Sequence, residues 1–479
     1  MLFNSIDFAI FLPIVFMLYW VVCGKNLKLQ NILLVVASYL FYGWWDYRFL
    51  ALIVFSSLVD YTIGLKLKNE GRVPVRKTLL WISILVNLGF LGFFKYYNFF
   101  VDNFVSAFSF FGNEIKPNTL NIILPVGISF YTFQTLSYSI DVYRRKLEPT
   151  RDLVSFLAFV SFFPQLVAGP IERATNLLPQ FYQKRKFHYS KATDGCKQIL
   201  WGLFKKVVIA DSCAEYANLI FNNSAAYSGS TLFLGALFFA FQIYGDFSGY
   251  SDIAIGTARL FGFNLKQNFA FPYFSRDIAE FWRRWHISLS TWFRDYLYIP
   301  LGGSRGSTWN KIRNTFVIFV VSGFWHGANW TFIVWGLLNA LYFLPLLLGK
   351  RNRNHLNVVA QDSVLPNIKE CLGMLLTFLL TVLAWIFFRA ENITHAFNYI
   401  QEMLLKDFFT IPLIRPKDII ILVFVFMIIE WIGRKHQYAI EVLFRNKSRL
   451  LKWSFYMILM ALVLLFSNET PQEFIYFQF

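Results

Sequence analysis

The sequence predicts an all-α, polytopic membrane protein, and three observations predict it. Apolar runs recur from one end of the chain to the other, charged residues are scarce, and the basic ones gather in the gaps between runs. Over 479 residues the chain is 56% hydrophobic and 15% charged, where soluble domains carry about 25% charge. A crossing needs about 20 residues to span a hydrocarbon layer of about 30 Å, so the pattern accommodates roughly 11–13 transmembrane or re-entrant helices. The formal charge of +17 does not argue for nucleic acid, because cytoplasmic loops of membrane proteins carry excess Lys and Arg. Cys23, Cys196, Cys213 and Cys371 show no CxxC pairing or zinc spacing and read as free thiols.

The first five runs are 8–22, 32–45, 49–65, 79–94 and 122–140. The chain before them has neither a basic leader region nor a small-residue cleavage site, so the first run reads as a retained helix. Basic residues follow the first run (Lys25, Lys28), the third (Lys66, Lys68, Arg72, Arg76, Lys77) and the fifth (Arg144, Arg145, Lys146). The charge bias makes those loops cytoplasmic and puts the N-terminus outside. Run 153–167 has basic segments on both sides, which suits a re-entrant or interfacial hairpin better than a crossing, with Pro164, Gly169 and Pro170 as bend points. Segment 195–221 mixes Lys205, Lys206, Asp211 and Glu215 with apolar residues and either crosses or lies at the surface.

Run 231–256 is a firmer span with a polar interior, Tyr244-Gly-Asp-Phe-Ser-Gly-Tyr-Ser-Asp252. Two carboxylates at that depth cannot face lipid cheaply. Either Asp246, Ser248 and Asp252 serve helix packing, or they support an active site. Segment 288–299 interleaves Trp292, Tyr296 and Tyr298 with Arg294 and Asp295, which suits a helix lodged at the interface or dipping into an internal cavity. Segment 315–348 is too short for two ordinary crossings and breaks at Gly323 and Gly327 around His326. It is either a hairpin with His326 near its tip or one tilted helix. Runs 372–388, 419–432 and 455–466 complete the chain, and the tail after them has no Lys or Arg, which suits the outer side.

Two histidines organise this pattern. His286 lies in Phe281-Trp-Arg-Arg-Trp-His-Ile-Ser-Leu-Ser-Thr-Trp292, and His326 lies in an otherwise apolar run. A neutral imidazole takes and returns a proton near pH 7, and an ionisable residue at bilayer depth is by default a functional hypothesis. No His or Cys cluster suits a metal, no G-x-S-x-G motif supplies a serine nucleophile, and no phosphate-binding glycine loop is present. What remains is a histidine acting as general base on an acceptor hydroxyl, with a thioester as donor. His188, His355, His395 and His436 lie in or near basic loops and read as solvated.

The sequence resembles the membrane-bound O-acyltransferase family, in the bacterial branch of the alginate O-acetylation membrane protein and its peptidoglycan O-acetylation relatives. The resemblance rests on Ile123-Leu-Pro-Val-Gly-Ile-Ser-Phe-Tyr-Thr-Phe133, Phe163-Pro-Gln-Leu-Val-Ala-Gly-Pro-Ile171, Asp246-Phe-Ser-Gly-Tyr-Ser-Asp252, Glu280-Phe-Trp-Arg-Arg-Trp-His-Ile-Ser-Leu-Ser-Thr-Trp292, Leu301-Gly-Gly-Ser-Arg305 and Gly323-Phe-Trp-His-Gly-Ala-Asn-Trp330. In the C-terminal third only hydropathy agrees.

The resemblance implies helices ringed around a thin central partition, with funnels from both faces meeting at a catalytic His326 and with His286 as the second histidine. It implies one membrane domain over 1–479: N-terminal helices 1–145, a catalytic core with re-entrant segments 146–350, and C-terminal helices 351–479. It implies no permanently bound cofactor, acetyl-coenzyme A as the donor substrate, and residence in the bacterial cytoplasmic membrane among its lipids. A partner extracytoplasmic O-acetyltransferase of the SGNH type then decorates an alginate-like exopolysaccharide or peptidoglycan.

The residues fit that role independently. Arg283, Arg284, Arg294 and Arg305 lie where the phosphates of coenzyme A would arrive, or they only fix topology. Trp282, Trp285, Trp292 and Trp325 line a dry acyl path or belong to interfacial belts, and Asp295 and Asn329 are further donor-site candidates. Two alternatives stand beside this reading: D-alanyl transfer from a carrier-protein thioester to teichoic acid, and a transporter or flippase without covalent chemistry.

Overall fold

A computed structural model of the chain describes residues 1–110, 120–167, 169–445, 447–467, 472 and 474–475. Its described residues contain no strand. Among the described residues, five helical stretches are long and apolar enough to cross a membrane: Tyr47–Asn69, Val73–Ser109, Gly229–Leu260, Trp330–Leu348 and Ile368–Arg389. Shorter apolar helical stretches run over Ile6–Val22, Leu27–Gly43 and Leu153–Leu166. The protein is therefore an all-helical, multi-pass membrane protein. Cα positions group into two compact units, Met1 with Ser5–Tyr189 and Ala258–Leu265, and Leu2–Asn4 with Ser190–Thr257 and Lys266–Phe479.

The first unit carries α1 (Ile6–Met17), α2 (Leu27–Gly43), α3 (Leu50–Asn69), α4 (Val73–Leu91), α5 (Tyr97–Phe110), α6 (Ile128–Tyr143) and the short α7 (Leu153–Ser161), α8 (Phe163–Leu166) and α9 (Ala174–Leu177). Side-chain caps set several starts: Ser5 accepts from the Phe8 amide, and Asn26 from those of Lys28 and Leu29. A π-helical turn at Gly92–Tyr96 joins α4 to α5, so the run expected at 79–94 is part of one much longer helical path. The 153–167 segment breaks at Phe162, whose ψ of 103° leaves the helical region, and Pro164 stands in the first turn of α8. The nine residues of α7 span about 14 Å, too little for a crossing. Ala168 in the following motif lies outside the described residues. Between α3, α4 and α6 a fully buried Asp60 accepts hydrogen bonds from Ser83, Asn87 and Ser139. Polar contacts of this kind fix which helix faces meet where lipid offers no competing partners.

The second unit carries α10 (Tyr189–Leu203), α11 (Asp211–Asn222), α12 (Gly229–Leu260), α13 (Ile278–Arg284), α14 (Ile287–Phe293), α15 (Thr308–His326), α16 (Trp330–Leu348), α17 (Ile368–Arg389), α18 (Ile393–Leu405), α19 (Lys417–Gly433) and α20 (Arg449–Leu465). A π-helical stretch, Phe204–Ala210, fuses α10 and α11 into one helical path. The His326 segment is a hairpin rather than one tilted helix. Its first arm begins at Thr308, earlier than the apolar run suggested, so each arm has 19 residues and spans about 28 Å. The arms approach closely because of Gly323 and Gly336: a Cβ there would lie 2.2 Å from the Phe332 carbonyl oxygen and 2.3 Å from that of Phe319. Helix α18 was not expected, and it places His395 in a helix instead of a loop; Asn392 caps its start. It is short and amphipathic, so it leaves no continuous apolar run.

Candidate active site

Both histidines belong to the second unit. His326 ends α15, and His286 sits between α13 and α14; their side chains are 3% and 1% exposed. Trp325 stands near both, its ring centroid 6.2 Å from that of His286 and 4.9 Å from that of His326. Around His326 close Trp335 of α16 at 5.1 Å and Phe388 of α17 at 5.2 Å. Around His286 close Phe247 of α12 at 4.6 Å and Phe269 at 6.3 Å. Trp285 and Trp335 both pack on Trp385, which joins the two surroundings into one aromatic cage.

Local sequence puts each imidazole in place. His286 has φ 43° and ψ 55°, a left-handed conformation rare for a residue with a Cβ. Holding it there costs about 1–3 kcal/mol, and such outliers persist where the surroundings over-determine them. The surroundings here centre on Asn268. Its backbone carbonyl accepts from the Ile287 amide at 2.9 Å, and its side-chain Oδ1 accepts from the Ser288 amide at 3.2 Å and the Ser288 hydroxyl at 2.8 Å. The same Oδ1 lies 3.2 Å from His286 Nδ1. A backbone N–H only donates, so the atom facing Ser288 must be the amide oxygen. Nδ1 therefore carries the hydrogen, and Nε2 is the acceptor nitrogen of the ring. Burial pushes the His286 imidazole well below its ordinary pKa, which keeps it neutral.

His326 precedes the turn from α15 to α16. Asn329 caps α16, accepting from the Thr331 amide at 3.0 Å, while its Nδ2 donates to the Glu391 carbonyl at 2.8 Å. A Cβ on Gly327 would fall 2.1 Å from the Phe332 ring, so glycine lets this turn fold over the aromatic cage.

Helix α12 supplies the support. The polar interior that the sequence offered either for packing or for an active site is a buried ion-pair rail. Lys205 pairs with Asp252 at 2.6 Å and donates to Ser248 at 2.9 Å. Lys206 pairs with Asp246 and with Asp211, both at 2.7 Å. Tyr244 donates to Glu430 of α19 at 2.5 Å, and Gln198 donates to Asp252 at 2.7 Å. The rail reaches the histidine site through Ser251, whose hydroxyl accepts from Asn268 Nδ2 at 3.1 Å. Buried pairs of this kind are strongly destabilising to break, by about 3–5 kcal/mol when one partner is removed.

The other sequence candidates separate into two groups. Arg283 donates to the carbonyls of Asn352 and His355, both at 2.8 Å, and Arg284 pairs with Glu280 and reaches the carbonyls of Ala270 and Asn357. These two arginines fasten the α16–α17 linker. Arg294 pairs with its neighbour Asp295 at 2.7 Å on the surface, and Arg305 is exposed. Trp285 and Trp325 belong to the cage, whereas Trp292 packs on Tyr296 in the π-helical turn after α14. Sequence alone did not point to Asn268, Trp335, Trp385, Phe388 or Glu430. A carboxylate inside the apolar 419–432 run is a readable signal for Glu430, but an asparagine in a loop carries none.

The geometry is two buried imidazoles that share Trp325 as a neighbour inside one aromatic cage, with a buried ion-pair rail on the neighbouring helix α12. A sequence model of the membrane-bound O-acyltransferase family matches residues 45–386, a stretch that contains both histidines and the lysines and aspartates of the rail. The chain belongs to the membrane-bound O-acyltransferase family. It is 42% identical over 407 residues to the probable alginate O-acetylase AlgI of Pseudomonas aeruginosa, covering 84% of this chain and 75% of that protein. It is 37% identical over 432 residues to the peptidoglycan O-acetyltransferase of Helicobacter pylori, covering 84% and 80%. Similarity to the teichoic acid D-alanyltransferase of Streptococcus thermophilus is lower, 27% over 312 residues, covering 60% and 75%. As a member of the membrane-bound O-acyltransferase family the protein is an acyltransferase, which removes the transporter alternative. Glu430 and helices α18–α20 lie beyond the matched stretch.

Proposed function

We propose that the protein passes an acetyl group from cytoplasmic acetyl-coenzyme A across the bacterial inner membrane for O-acetylation of an extracytoplasmic polysaccharide, alginate-like or peptidoglycan, with His326 as general base and His286 as its partner. The N-terminus lies outside, and an extracytoplasmic SGNH-type transferase completes the decoration. The observation that carries this reading is the pair of buried imidazoles bracketing Trp325. The higher identity to the two O-acetylating relatives than to the D-alanyltransferase favours acetyl over D-alanyl.

In the proposed reaction a nitrogen of His326 takes the proton of the acceptor hydroxyl as that oxygen attacks the thioester carbonyl. The C–O bond forms, the C–S bond breaks, and the imidazolium returns its proton to the leaving thiolate. No net charge or proton is left behind. The aromatic walls exclude water, which limits hydrolysis of the thioester and strengthens each electrostatic contact. Neutral His286, with Nε2 as acceptor, accepts a hydrogen bond at the same locus.

The test is His326→Ala in cells, with glycan acetylation read by mass spectrometry and protein level checked by immunoblot. General-base removal costs about 10²–10⁴-fold in rate, so acetylation is expected to disappear at unchanged protein level. A His326→Ala strain that acetylates normally overturns the proposal. Purified protein that takes its acyl group from a D-alanylated carrier protein and not from acetyl-coenzyme A overturns the donor and the acetyl assignment, and leaves the general-base role of His326 standing.

A further inference from the structure

A basic patch on the first unit has no part in the proposed reaction. It forms where the turn between α1 and α2 meets the segment 182–189. Phe187 packs on Phe16 at 6.0 Å and on Trp20 at 5.6 Å. Arg185 reaches the start of α2, donating to Asn31 Oδ1 at 2.6 Å and to Gln30 Oε1 at 3.5 Å. These contacts bring Lys25 and Lys28 to the same end of the unit as Lys184 and Lys186, and all four lysines are exposed. The N-terminus of α2 adds partial positive charge at the same place.

No acid answers this charge. Residues 8–45, 173–193 and 258–265 contain neither Asp nor Glu. Asp152 approaches through Ser155, to which Asn31 donates at 3.2 Å, but its oxygens accept from the Val154 amide and the Ser155 hydroxyl. Other basic loops of this unit differ: Lys68 pairs with Glu148 at 2.8 Å and Arg72 with Glu70 at 3.1 Å. Among the described residues no carboxylate pairs with Lys25, Lys28, Lys184, Arg185 or Lys186. Arg185 is buried, faces the rings of Tyr19, Phe181 and Phe263 at 4.8–5.9 Å, and keeps a buried Nε without a partner among the described residues. All its partners are neutral, so a whole positive charge stands uncompensated behind the four lysines, where a low dielectric carries its field further.

The surface beside the patch is lipid-facing. Val21, Val22 and Leu29 are exposed apolar side chains on α1 and α2, and Tyr182, Phe187 and Tyr189 are exposed aromatics of the kind that sit at headgroup level. An anion bound here therefore has acyl chains as its natural continuation. We propose that the α1–α2 turn and the 182–189 segment bind the headgroup of an anionic phospholipid of the cytoplasmic leaflet, its phosphate met by Lys25, Lys28, Lys184 and Lys186 and its chains lying along Val21, Val22 and Leu29. Clustered cations at a membrane edge attract anionic lipid additively, and lysine serves as a mobile point charge for phosphate. The site stands apart from the donor and the acceptor of the proposed reaction.

The test uses the full chain in nanodiscs of phosphatidylcholine and phosphatidylglycerol, with the lipids retained on release read by native mass spectrometry. The variant is Lys25→Gln/Lys28→Gln/Lys184→Gln/Lys186→Gln. The control, Lys66→Gln/Lys77→Gln/Lys146→Gln/Arg151→Gln, removes four other exposed cations from basic loops of the same unit. Wild type and control should retain phosphatidylglycerol in preference to phosphatidylcholine, and the variant should lose that preference by at least about tenfold. Equal retention by variant and wild type overturns the inference. So does an equal loss in variant and control, because the lysines then act only as part of a diffuse basic face. Wild type that retains both lipids alike, or whose phosphatidylglycerol is displaced by millimolar glycerol phosphate, also overturns it, the second because the site then takes a soluble anion.

Discussion

Which nitrogen His286 presents is decided by Asn268. Its Oδ1 is pinned by the Ser288 amide, so the imidazole facing it must hold its hydrogen on Nδ1. Two substitutions at Asn268 separate positioning from plain packing. Asn268→Asp places a carboxylate beside a buried imidazole whose pKa burial has lowered. An adjacent negative charge favours the imidazolium and raises that pKa again. His286 then takes a proton at a higher pH than in the wild type, so the acid limb of the kcat/KM profile should move upward in pH while the alkaline limb stays. Asn268→Leu removes the acceptor without adding charge; it should lower kcat by about tenfold or more, the usual scale for losing a group that orients a functional side chain, with no displacement of the acid limb. Wild-type profiles and rates in both variants would show that Asn268 does not govern the ring. The residue scale is also where the sequence was least informative. His286 and His326 stood out because imidazoles amid apolar residues are rare, but Asn268 acts through a fold-dependent contact to a position 18 residues away that no local pattern encodes.

At the scale of the element, the α15–α16 hairpin depends on glycines that the sequence showed only as breaks. Gly323 and Gly327 were legible as interruptions around His326, and the hairpin was one of two readings they allowed. What was not legible was the partner of each glycine, since Gly323 meets a carbonyl of α16 and Gly336 one of α15. Replacing either with Leu forces the arms apart against close backbone contacts, at a cost of about 1–3 kcal/mol by overpacking. Gly323→Leu or Gly336→Leu should therefore lower the melting temperature measured by tryptophan fluorescence in detergent and weaken acetyl transfer, because the arms carry His326 and Trp335. Gly89→Ala in α4 is the control: a Cβ there meets nothing within 4 Å, and the change should be neutral or slightly stabilising through helix propensity. Equal losses from all three would mean that close approach of the arms is not the operative constraint. The same scale explains why the polar interior of α12 was ambiguous in sequence. Asp246 and Asp252 find their cations on the π-helical stretch between α10 and α11, a pairing set by packing and not by spacing along the chain.

For the whole molecule, the class and the multi-pass character were readable because hydropathy and charge act along the chain and do not depend on which helices meet. The grouping into two compact units was not readable, since α12 contributes residues to both. Orientation in the membrane follows from charge bias alone, and helix ends make it testable. The start of α17 lies with the basic linker: Arg276 pairs with Glu370 in its first turn, and Arg434, at the end of α19, binds linker carbonyls. The opposite end of α17 leads through α18 to Phe409, which is 99% exposed. With 22 residues, about 33 Å of helix separates the two ends of α17, enough to cross the hydrocarbon layer. Cys371 is an exposed thiol one residue beyond Glu370. A membrane-impermeant maleimide applied to intact cells of an outer-membrane-permeabilised strain should therefore leave Cys371 unlabelled until the inner membrane is opened. A Phe409→Cys variant carrying Cys371→Ser should label from outside at once. Labelling of Cys371 in intact cells would invert the orientation and remove the cytoplasmic approach of the donor on which the proposed reaction depends.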